Sequence, residues 1–566
     1  MPKGAMKANA GPTRKFGFTC NYRSLLLCAV LFLALVLRIW GIGWGLPNQE
    51  RILSYHPDEG PNLVLGVLDN GVLKPHLDLG FYNYGSLYFY LWQGAAAINQ
   101  TYGFVRLPPT GSPDHPITDS PAAIILMGRY LTVALSVLTV LCLYKIGERL
   151  YGYWGGIIAS GCFAVAPGVV MHSHYATVDI PSIFFIVLCL LFTMQFADDP
   201  ANEPISWKYV MFAGLTAGFA AATKYSCLLV ILSPLAMIVW RGVYRKSPWV
   251  LASLFLLSSC ILGFLIGCSG VWLDSHAFFH DFFFELRKSG EGMGLLFVNT
   301  GNGWFYPLHI SLPLALGYPL LLLSIIGVFY PFKNRKPEEI ALAVFFVAYY
   351  GMIAMAKVRF FRYALPLIPI LCIYCSRLFS PTMENHLGFR RALRVVAAGS
   401  IFVALFISLA IDHSMCGVDP RDQAIRYLSQ YANQGKSVAF ATTPWYYTPP
   451  FSPWFTAMSV QQRRTAADKV STFKLILPAA GTEWDNAALN PPPDFCVLSN
   501  LESSDALRLR EPDALQFMKT LRTQYNVRVF ENPPSLFGVK IRYHGYVPVD
   551  WLYANPVIYV YSRDKA

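Results

Sequence analysis

Charged residues are scarce in this chain of 566 residues. Asp, Glu, Lys and Arg make up only 14% of it, whereas soluble domains carry about 25%. Hydrophobic residues make up 54% and aromatic residues 15%, and the mean hydropathy is +0.40. These values exclude an ordinary soluble domain and indicate a membrane protein with several spans.

Three kinds of motif are also missing. The twelve cysteines show no metal-binding spacing, and most lie in apolar runs, where cysteine behaves as a small hydrophobe. CIYC at 372–375 has redox-motif spacing but falls in a predicted span, and Cys416 and Cys496 could form a disulfide if the C-terminal region lies outside the membrane. The sequence has no convincing glycine-rich phosphate loop and no internal repeat of the transporter type. We therefore expect no metal or other cofactor.

Basic residues are in excess, with a formal net charge of +12, but their positions do not favour nucleic-acid binding. They cluster between apolar runs, in YKIGERLYG, WRGVYRKS, FKNRKPEE and FRRALR. Cytoplasmic loops of membrane proteins are rich in Lys and Arg, so these four clusters mark the inner side. The N-terminus, which is also basic and precedes the first apolar run, is expected inside.

A membrane-spanning helix needs about 20 mostly apolar residues, and alternation between the basic loops predicts eleven of them. The predicted spans are residues 24–44, 122–144, 154–171, 181–197, 208–223, 226–240, 249–271, 310–330, 338–356, 363–379 and 393–411. The stretch 81–103 is apolar too, but rich in Tyr and Trp, which favour the membrane–water interface. Counting it as a span would place YKIGERLYG outside. We therefore expect an interfacial or re-entrant segment, with twelve or thirteen spans as the alternative.

The predicted fold class is a polytopic α-helical membrane protein with a C-terminal mixed α/β domain. Residues 1–23 form a cytoplasmic tail, residues 24–411 a membrane domain with a first outer loop at 45–121, and residues 412–566 an extracytoplasmic domain. In this last domain KSVAFAT, FKLIL, DFCVLS, VRVFEN and VIYVYS are strand candidates. PRDQAIRYLSQYANQ and DALQFMKTLRTQY have helical periodicity.

This topology gathers polar residues from distant parts of the chain at the outer membrane surface. They are His56, Asp58, Glu59, Arg129, His172, His174, Asp179, Lys224, Tyr225, Lys357, Arg359 and Arg362. Each alone has an ordinary explanation, since basic side chains snorkel to headgroups, histidines hydrogen-bond locally, and Asp58 and Asp179 could cap helices. Together, carboxylates and cations at one hydrocarbon boundary suit a lipid-linked phosphate. Lys and Arg would hold the phosphate, while an Asp acts as a base.

Six motifs occur in an order that resembles a known family. They are YHPDE, FYNYGSLYFYL, GRYLTVALSVLTVLCLYKIGERLYG, HSHYATVDIPSIFF, GLTAGFAAATKYS and RFFRYALPLIP. Over residues 24–380 the chain is similar to the C-type glycosyltransferases of the protein O-mannosyltransferase and lipid A aminoarabinose transferase superfamily, in particular to the bacterial phospholipid-carrier-dependent glycosyltransferases. The resemblance implies a helical membrane core, an acidic pair in the first outer loop and catalysis at the outer face. The C-terminal domain and the stretch 107–120, with Asp114, His115 and Asp119, match no motif of the family.

The resemblance and the topology together assign a role to each residue. Asp58 is the expected catalytic base, and Glu59 is expected to support it. The donor phosphate is expected to bind Arg129, Lys224, Arg359 and Arg362. The expected site-organising residues are His56, His174, Asp179 and Tyr225.

The reaction that the resemblance implies moves a sugar from a polyprenyl phosphate to an acceptor hydroxyl on a protein, lipid or glycan, with inversion and without a metal. The expected location is a bacterial inner membrane, with the N-terminus in the cytoplasm. Two other classes stay open from the sequence alone. One is a transporter or flippase of a lipid-linked sugar, and the other is a non-catalytic membrane scaffold that presents the C-terminal domain.

Overall fold

The computed structural model describes residues 22–107, 120–197, 205–245, 248–329, 336–380, 387–457, 459–479 and 481–563. Most of the predicted cytoplasmic tail lies outside the described residues. So do Asp114, His115 and Asp119, which belong to the stretch that matches no family motif.

Helices dominate the chain as far as residue 416. They are α1 (Tyr22–Ile39), α2 (Glu59–Gly66), α3 (Leu87–Tyr102), α4 (Pro121–Ala164), α5 (Pro167–His172), α6 (Asp179–Ala197), α7 (Trp207–Thr223), α8 (Leu232–Arg245), α9 (Trp249–Gly267), α10 (Gly270–Leu273), α11 (Ser275–Glu291), α12 (Leu312–Leu316), α13 (Tyr318–Phe329), α14 (Pro337–Met355), α15 (Ile368–Arg377) and α16 (Leu387–Cys416). Short 3₁₀ helices at Tyr225–Ile231 and Phe361–Leu367 precede α8 and α15, and a π-helical turn at Pro307–Ser311 precedes α12.

Six of the described helices are long and apolar enough to cross a membrane, or seven if one bent pair counts as a single span. They are Pro121–Ala164, Asp179–Ala197, Tyr225–Tyr244, Trp249–Gly267, Pro337–Met355 and Arg391–Tyr431, and the bent pair consists of Pro307–Leu316 and Tyr318–Phe329. The chain is thus an integral membrane protein with several spans. The predicted total of eleven is not confirmed. One reason is that α7 has only 17 residues and α15 only 10, whereas crossing the hydrocarbon core takes about 20.

Helix α4 is a hairpin of two arms rather than one straight helix. Gly152 breaks it, with φ +78° and ψ −176°, a conformation that glycine adopts readily because it has no Cβ. The arms then pack closely, since a Cβ added at Gly147 would lie 2.6 Å from the carbonyl oxygen of Gly155. The arms correspond to the predicted spans 122–144 and 154–171, and the basic cluster YKIGERLYG lies at the reversal.

Helix α3 forms within the Tyr- and Trp-rich stretch 81–103. Its buried Trp92 packs against α4, where the indole nitrogen donates to the Ile124 carbonyl oxygen 2.7 Å away. With 16 residues, α3 is shorter than the roughly 20 residues of an ordinary span. Its interfacial or re-entrant placement stays a prediction.

The C-terminal region has a mixed α/β structure, as predicted. Its elements are α17 (Pro420–Leu428), β1 (Ser437–Phe440), α18 (Val460–Val470), β2 (Lys474–Ile476), β3 (Phe495–Ser499), α19 (Asn500–Arg508), α20 (Pro512–Gln524), β4 (Asn526–Phe530), β5 (Ser535–Leu536), β6 (Val539–Lys540) and β7 (Ile558–Ser562). The main sheet has the strand order β2-β1-β3-β7-β4. Strand β1 runs parallel to β2 and β3, and β7 runs antiparallel to β3 and β4. All five predicted strands and both predicted helices are present.

Alternation of side chains explains why these segments form a buried sheet. In β1, Val438 and Phe440 face one apolar layer, whereas Ala439 faces the other. Cys496 of β3 lies in the same layer as Ala439, inside the domain and with a free thiol. Cys416 is a free, exposed thiol at the end of α16. The disulfide between Cys416 and Cys496 that the sequence left open is therefore wrong.

Candidate active site

Asp58 lies in the turn that follows His56 and Pro57 and immediately precedes α2. Its side chain makes no capping hydrogen bond to that helix, so the N-cap explanation of this residue does not account for its carboxylate. The Oδ2 atom lies 3.0 Å from Nη1 of Arg362, and the Asp58 side chain keeps 24% of its exposure. The carboxylate is thus partly accessible and sits next to a cation.

Glu59, the next residue, is enclosed. Its Oε1 and Oε2 atoms accept from Nε and Nη2 of Arg129 at 2.8 and 2.7 Å, and Oε1 also accepts the Ala176 N–H at 2.8 Å. Burial would raise the pKa of Glu59, but the Arg129 guanidinium outweighs it and holds that pKa below its usual value. Glu59 is therefore an ionised acid with no accessible surface.

Arg129 is equally enclosed. Its Nη1 donates to the carbonyl oxygens of Ile42 and Trp44 at 2.6 and 2.7 Å, and Nη2 also donates to Ser54 Oγ at 3.4 Å. With the two bonds to Glu59, all five guanidinium N–H donors have protein acceptors. In this conformation Arg129 has no donor left for a phosphate.

His56 is buried beneath the Asp58 turn. Its Nδ1 accepts the Asp58 backbone N–H at 3.3 Å, which places the proton of the neutral ring on Nε2. Burial lowers the pKa of His56 and favours this neutral form. The ring lies 4.3 Å from that of Tyr175 and 5.1 Å from that of Tyr553. The imidazole therefore supports the backbone of the turn.

Asp179 and Lys224 form a third ion pair of the site. Asp179 opens α6, and its Oδ1 accepts from Lys224 Nζ at 2.7 Å. Lys224 is in an extended conformation between α7 and the following 3₁₀ helix, which turns its side chain out of the helical path. The ammonium lies 4.9 Å above the Tyr363 ring, next to Arg362 in the chain.

Tyr225 fixes the aromatic stretch that faces this cluster. Its hydroxyl donates to the carbonyl oxygens of Tyr82 and Tyr84, both at 2.8 Å. The charges of Asp58 and Arg362 act on the Tyr84 phenol, whose pKa is raised first by burial and then by Asp58. Tyr84 is therefore a neighbour of the site that sequence reasoning missed, although it lies in one of the quoted motifs.

Two of the predicted site residues are held by other partners. Arg359 stacks 5.4 Å from the Tyr306 ring and donates from Nη1 to Gly301 O and Thr300 Oγ1 at 2.7 and 3.1 Å. His174 bonds the carbonyl oxygens of Val170 and Trp40 on its two ring nitrogens, each at 2.9 Å. No contact between described residues joins Arg359 or His174 to Asp58.

Asp550, from the C-terminal domain, is the main site residue that the sequence did not reveal. Its Oδ1 and Oδ2 accept the backbone N–H groups of Phe361 and Arg362, each at 3.0 Å, and it has no exposed surface. Burial raises the pKa of Asp550 to about 6, against the Arg362 charge and the amide hydrogen bonds. Trp551 then packs edge-on against Phe361 with ring centroids 4.7 Å apart. Arg362 is thus held by a domain nearly 190 residues away in the chain.

The C-terminal domain also holds the loop that leads to Asp58. Asp422 Oδ1 accepts from Arg51 at 2.7 Å and from the Tyr55 hydroxyl at 2.6 Å. Asp419 Oδ2 accepts from the Trp44 indole at 3.2 Å. The catalytic candidate therefore lies on a loop tied at several points to the last part of the chain. No group of three or more His, Cys, Asp or Glu side chains arranged to hold a metal ion is present in the described ranges.

Comparison with known proteins tests the family resemblance. The family model described as dolichyl-phosphate-mannose-protein mannosyltransferase matches residues 125–273, a segment that contains Arg129, Asp179 and Lys224. This segment of the chain is thus similar to the protein O-mannosyltransferase family. The resemblance predicted from the six motifs is thereby confirmed. No curated protein matched the sequence.

Several solved structures are similar to this chain, and that of AglB shares its fold. The oligosaccharyltransferase AglB of Archaeoglobus fulgidus is similar with a TM-score of 0.51 and 11% identity, over 94% of this chain and 75% of that one. ArnT of Cupriavidus metallidurans gives a TM-score of 0.45 and 14% identity, over 95% and 98% of the two chains. The Pmt1–Pmt2 complex of S. cerevisiae gives 0.33 and 18%, over 46% and 35%.

Proposed function

We propose that this protein is a membrane glycosyltransferase that moves a sugar from a polyprenyl phosphate to an acceptor hydroxyl. The observation that carries the proposal is the Asp58 carboxylate, which is partly exposed, makes no capping bond and lies 3.0 Å from Arg362. The matching family is described by a dolichyl-phosphate-mannose donor, and AglB has been solved with a dolichol-phosphate and a peptide. Both support a lipid phosphate as the sugar carrier.

In this mechanism Asp58 acts as the general base. It removes the proton of the acceptor hydroxyl as that oxygen attacks the anomeric carbon. The bond between the anomeric carbon and the phosphate oxygen breaks, and its electron pair stays on the phosphate. A single displacement of this kind inverts the anomeric centre.

Fixed cations stabilise the leaving phosphate, so a separate general acid is unnecessary. Arg362 and Lys224 are the residues that we assign to this task. The approach of Arg362 Nη1 to Asp58 lacks hydrogen-bond angles, which leaves that nitrogen able to donate to a phosphate. Lys224 uses one of its three N–H donors on Asp179.

We assign Glu59 and Arg129 to positioning rather than to catalysis and phosphate binding. Both are enclosed, and their mutual bonds fix the start of α2 against Ile42, Trp44 and Ala176. His56, Asp179 and Tyr225 keep their proposed organising roles. Arg359 and His174 remain predicted site residues without a contact to Asp58.

Turnover of defined donors tests this function. Purified protein in nanodiscs is incubated with radiolabelled polyprenyl-phosphate sugars, and release of the sugar to water or to an acceptor extract is followed. Asp58→Asn should lower the turnover of the donor that the wild type uses by about 10²–10⁴-fold. Asp69→Asn, the same change in the same outer loop, is the matched control and should turn over normally. Donor binding with no turnover in the wild type would instead support a transporter or flippase of the lipid-linked sugar.

A further inference from the structure

A cavity of about 700 Å³ opens in the C-terminal domain, behind the segment that holds Arg362. Residues 549–553, which we call the partition, lie between this cavity and the candidate active site. Val549, Trp551 and Leu552 of the partition line the cavity. Asp550 and Tyr553 point the other way, to the amides of Phe361 and Arg362 and to the His56 ring. One short segment therefore contributes residues both to the cavity and to the candidate active site.

The wall of this cavity combines aromatic rings with matched charges. Tyr543, Tyr546 and Trp551 supply the rings. Two ion pairs supply the charges, Asp505–Arg508 at 2.8 Å and Glu531–Arg542 at 3.0 Å. Because the acids and arginines balance, the wall favours a ligand that is polar but carries no net charge. The volume lies within the range of about 300–1,000 Å³ that is typical of small-molecule sites.

Aromatic platforms beside carboxylate and guanidinium groups are suited to sugar rings. A sugar presents an apolar face that can pack on an aromatic ring, and neighbouring hydroxyls that donate to carboxylates and accept from guanidinium groups. An extended peptide would need an open strand edge to bond its backbone. The wall offers none, since it consists of α19 and of residues within 531–534 and 541–557 that belong to no strand.

We infer that this cavity binds the carbohydrate portion of the acceptor, at a distance from the hydroxyl that reacts at Asp58. The inference rests on the proposed glycosyl transfer and adds to it the chemical class of the acceptor. Binding of a non-reacting part of a substrate supplies energy that orients the reacting part. The partition provides the physical connection, because Trp551, which lines the cavity, is the next residue after Asp550, whose carboxylate accepts the Arg362 amide.

Binding of neutral oligosaccharides tests the inference without requiring catalysis. Full-length protein in nanodiscs is applied to an array of labelled neutral oligosaccharides and to a matched array of peptides. We expect saturable binding of at least one oligosaccharide. Ser504→Trp, which fills the cavity from an exposed position on α19, should weaken that binding by about tenfold or more and leave polyprenyl-phosphate binding unchanged.

A second variant guards against an indirect effect of the bulky tryptophan. Glu531→Ala combined with Arg542→Ala removes one ion pair and leaves Lys540, the other partner of Glu531, as an exposed and hydrated charge. This double variant should also weaken oligosaccharide binding. Absence of oligosaccharide binding, binding that neither variant changes, or capture of peptides instead would overturn the inference. Oligosaccharide binding by a protein that turns over no donor would leave the cavity assignment in place and overturn the proposed transferase.

Discussion

Two acid–arginine pairs begin at adjacent positions of the chain and differ in nearly every other respect. Glu59 and Arg129 have no exposed side-chain surface, and every guanidinium donor is used. Asp58 remains partly exposed and meets Arg362 through one contact without hydrogen-bond angles. A pair that is closed on all sides holds the fold, whereas an open pair can exchange its partner for a substrate. Under the proposed function, Glu59 would therefore position the site and Asp58 would carry out the chemistry.

Removal of the negative charge of Asp58, the acid of the open pair, should have the largest effect on activity. Asp58→Asn should lower turnover by about 10²–10⁴-fold, the usual contribution of a general base, because the amide cannot take the acceptor proton. Single-turnover sugar transfer measures the chemical step, and thermal unfolding should show a midpoint close to that of the wild type. Turnover within a few-fold of the wild type would assign the base to another residue and remove the distinction between the two pairs.

Breaking the closed pair should act on stability. Arg129→Met leaves the Glu59 carboxylate buried without its partner, a change that costs about 3–5 kcal/mol for buried ion pairs. We expect a lower yield and a lower midpoint of thermal unfolding in detergent. Arg129→Met combined with Glu59→Gln removes the uncompensated charge and should recover part of the loss. A stable single variant with weakened donor binding would instead restore the phosphate-binding role predicted from the sequence.

Loss of Asp550, which holds the Arg362 backbone of the open pair, should have an intermediate effect on activity. Asp550→Ala removes the carboxylate that accepts the Phe361 and Arg362 amides. The backbone at Arg362 is then less well fixed, and so is the position of its guanidinium group. We expect the KM for the lipid-linked donor to rise about tenfold, equivalent to roughly 1.4 kcal/mol, with a smaller fall in kcat. Asp550→Asn, which keeps one carbonyl acceptor, should lie between the alanine variant and the wild type. An unchanged KM would show that Arg362 is positioned by its own helix alone.

The smallest effect concerns pH. Burial raises the pKa of Asp550 to about 6, well above the value near 3.9 of an exposed aspartate. The folded protein therefore binds this proton at a higher pH than the unfolded chain does. The resulting stability is complete below about pH 4 and is lost as the pH rises through 6. The unfolding midpoint of the wild type, relative to that of Asp550→Asn, should rise between pH 7 and pH 5. If the difference between the two midpoints stayed constant or fell from pH 7 to pH 5, the raised pKa assigned to Asp550 would be contradicted.

Much of this arrangement follows from local sequence patterns. The alternation in KSVAFAT and DFCVLS gives the two buried faces of the central strands. The basic cluster YKIGERLYG marks the reversal of α4 at Gly152. Asp179 and Lys224, 45 residues apart, could be placed together because two predicted outer turns bring them to one membrane face. Each of these inferences needs only periodicity or the sidedness of charge.

Periodicity and the sidedness of charge do not predict how deeply a charged side chain is buried or which groups it contacts. Arg129 and Arg362 look alike in the sequence, since each lies at the outer end of a predicted span. Only the surrounding carbonyl oxygens, from Ile42 and Trp44, show that Arg129 is enclosed. Asp550 could not be foreseen either, because the C-terminal domain matches no motif and its contact with Phe361 depends on how that domain docks.

The attachment of the C-terminal domain has a consequence for the time at which activity begins. A chain synthesised only as far as α16 already contains Asp58, Lys224 and Arg362. It lacks Asp419 and Asp422, which tie down the loop before Asp58, and Asp550, which fixes the Arg362 backbone. A nascent chain would thus carry the reactive groups in an unassembled state. Under the proposed function, sugar transfer would therefore begin only after the C-terminal domain has been synthesised and has docked on these loops.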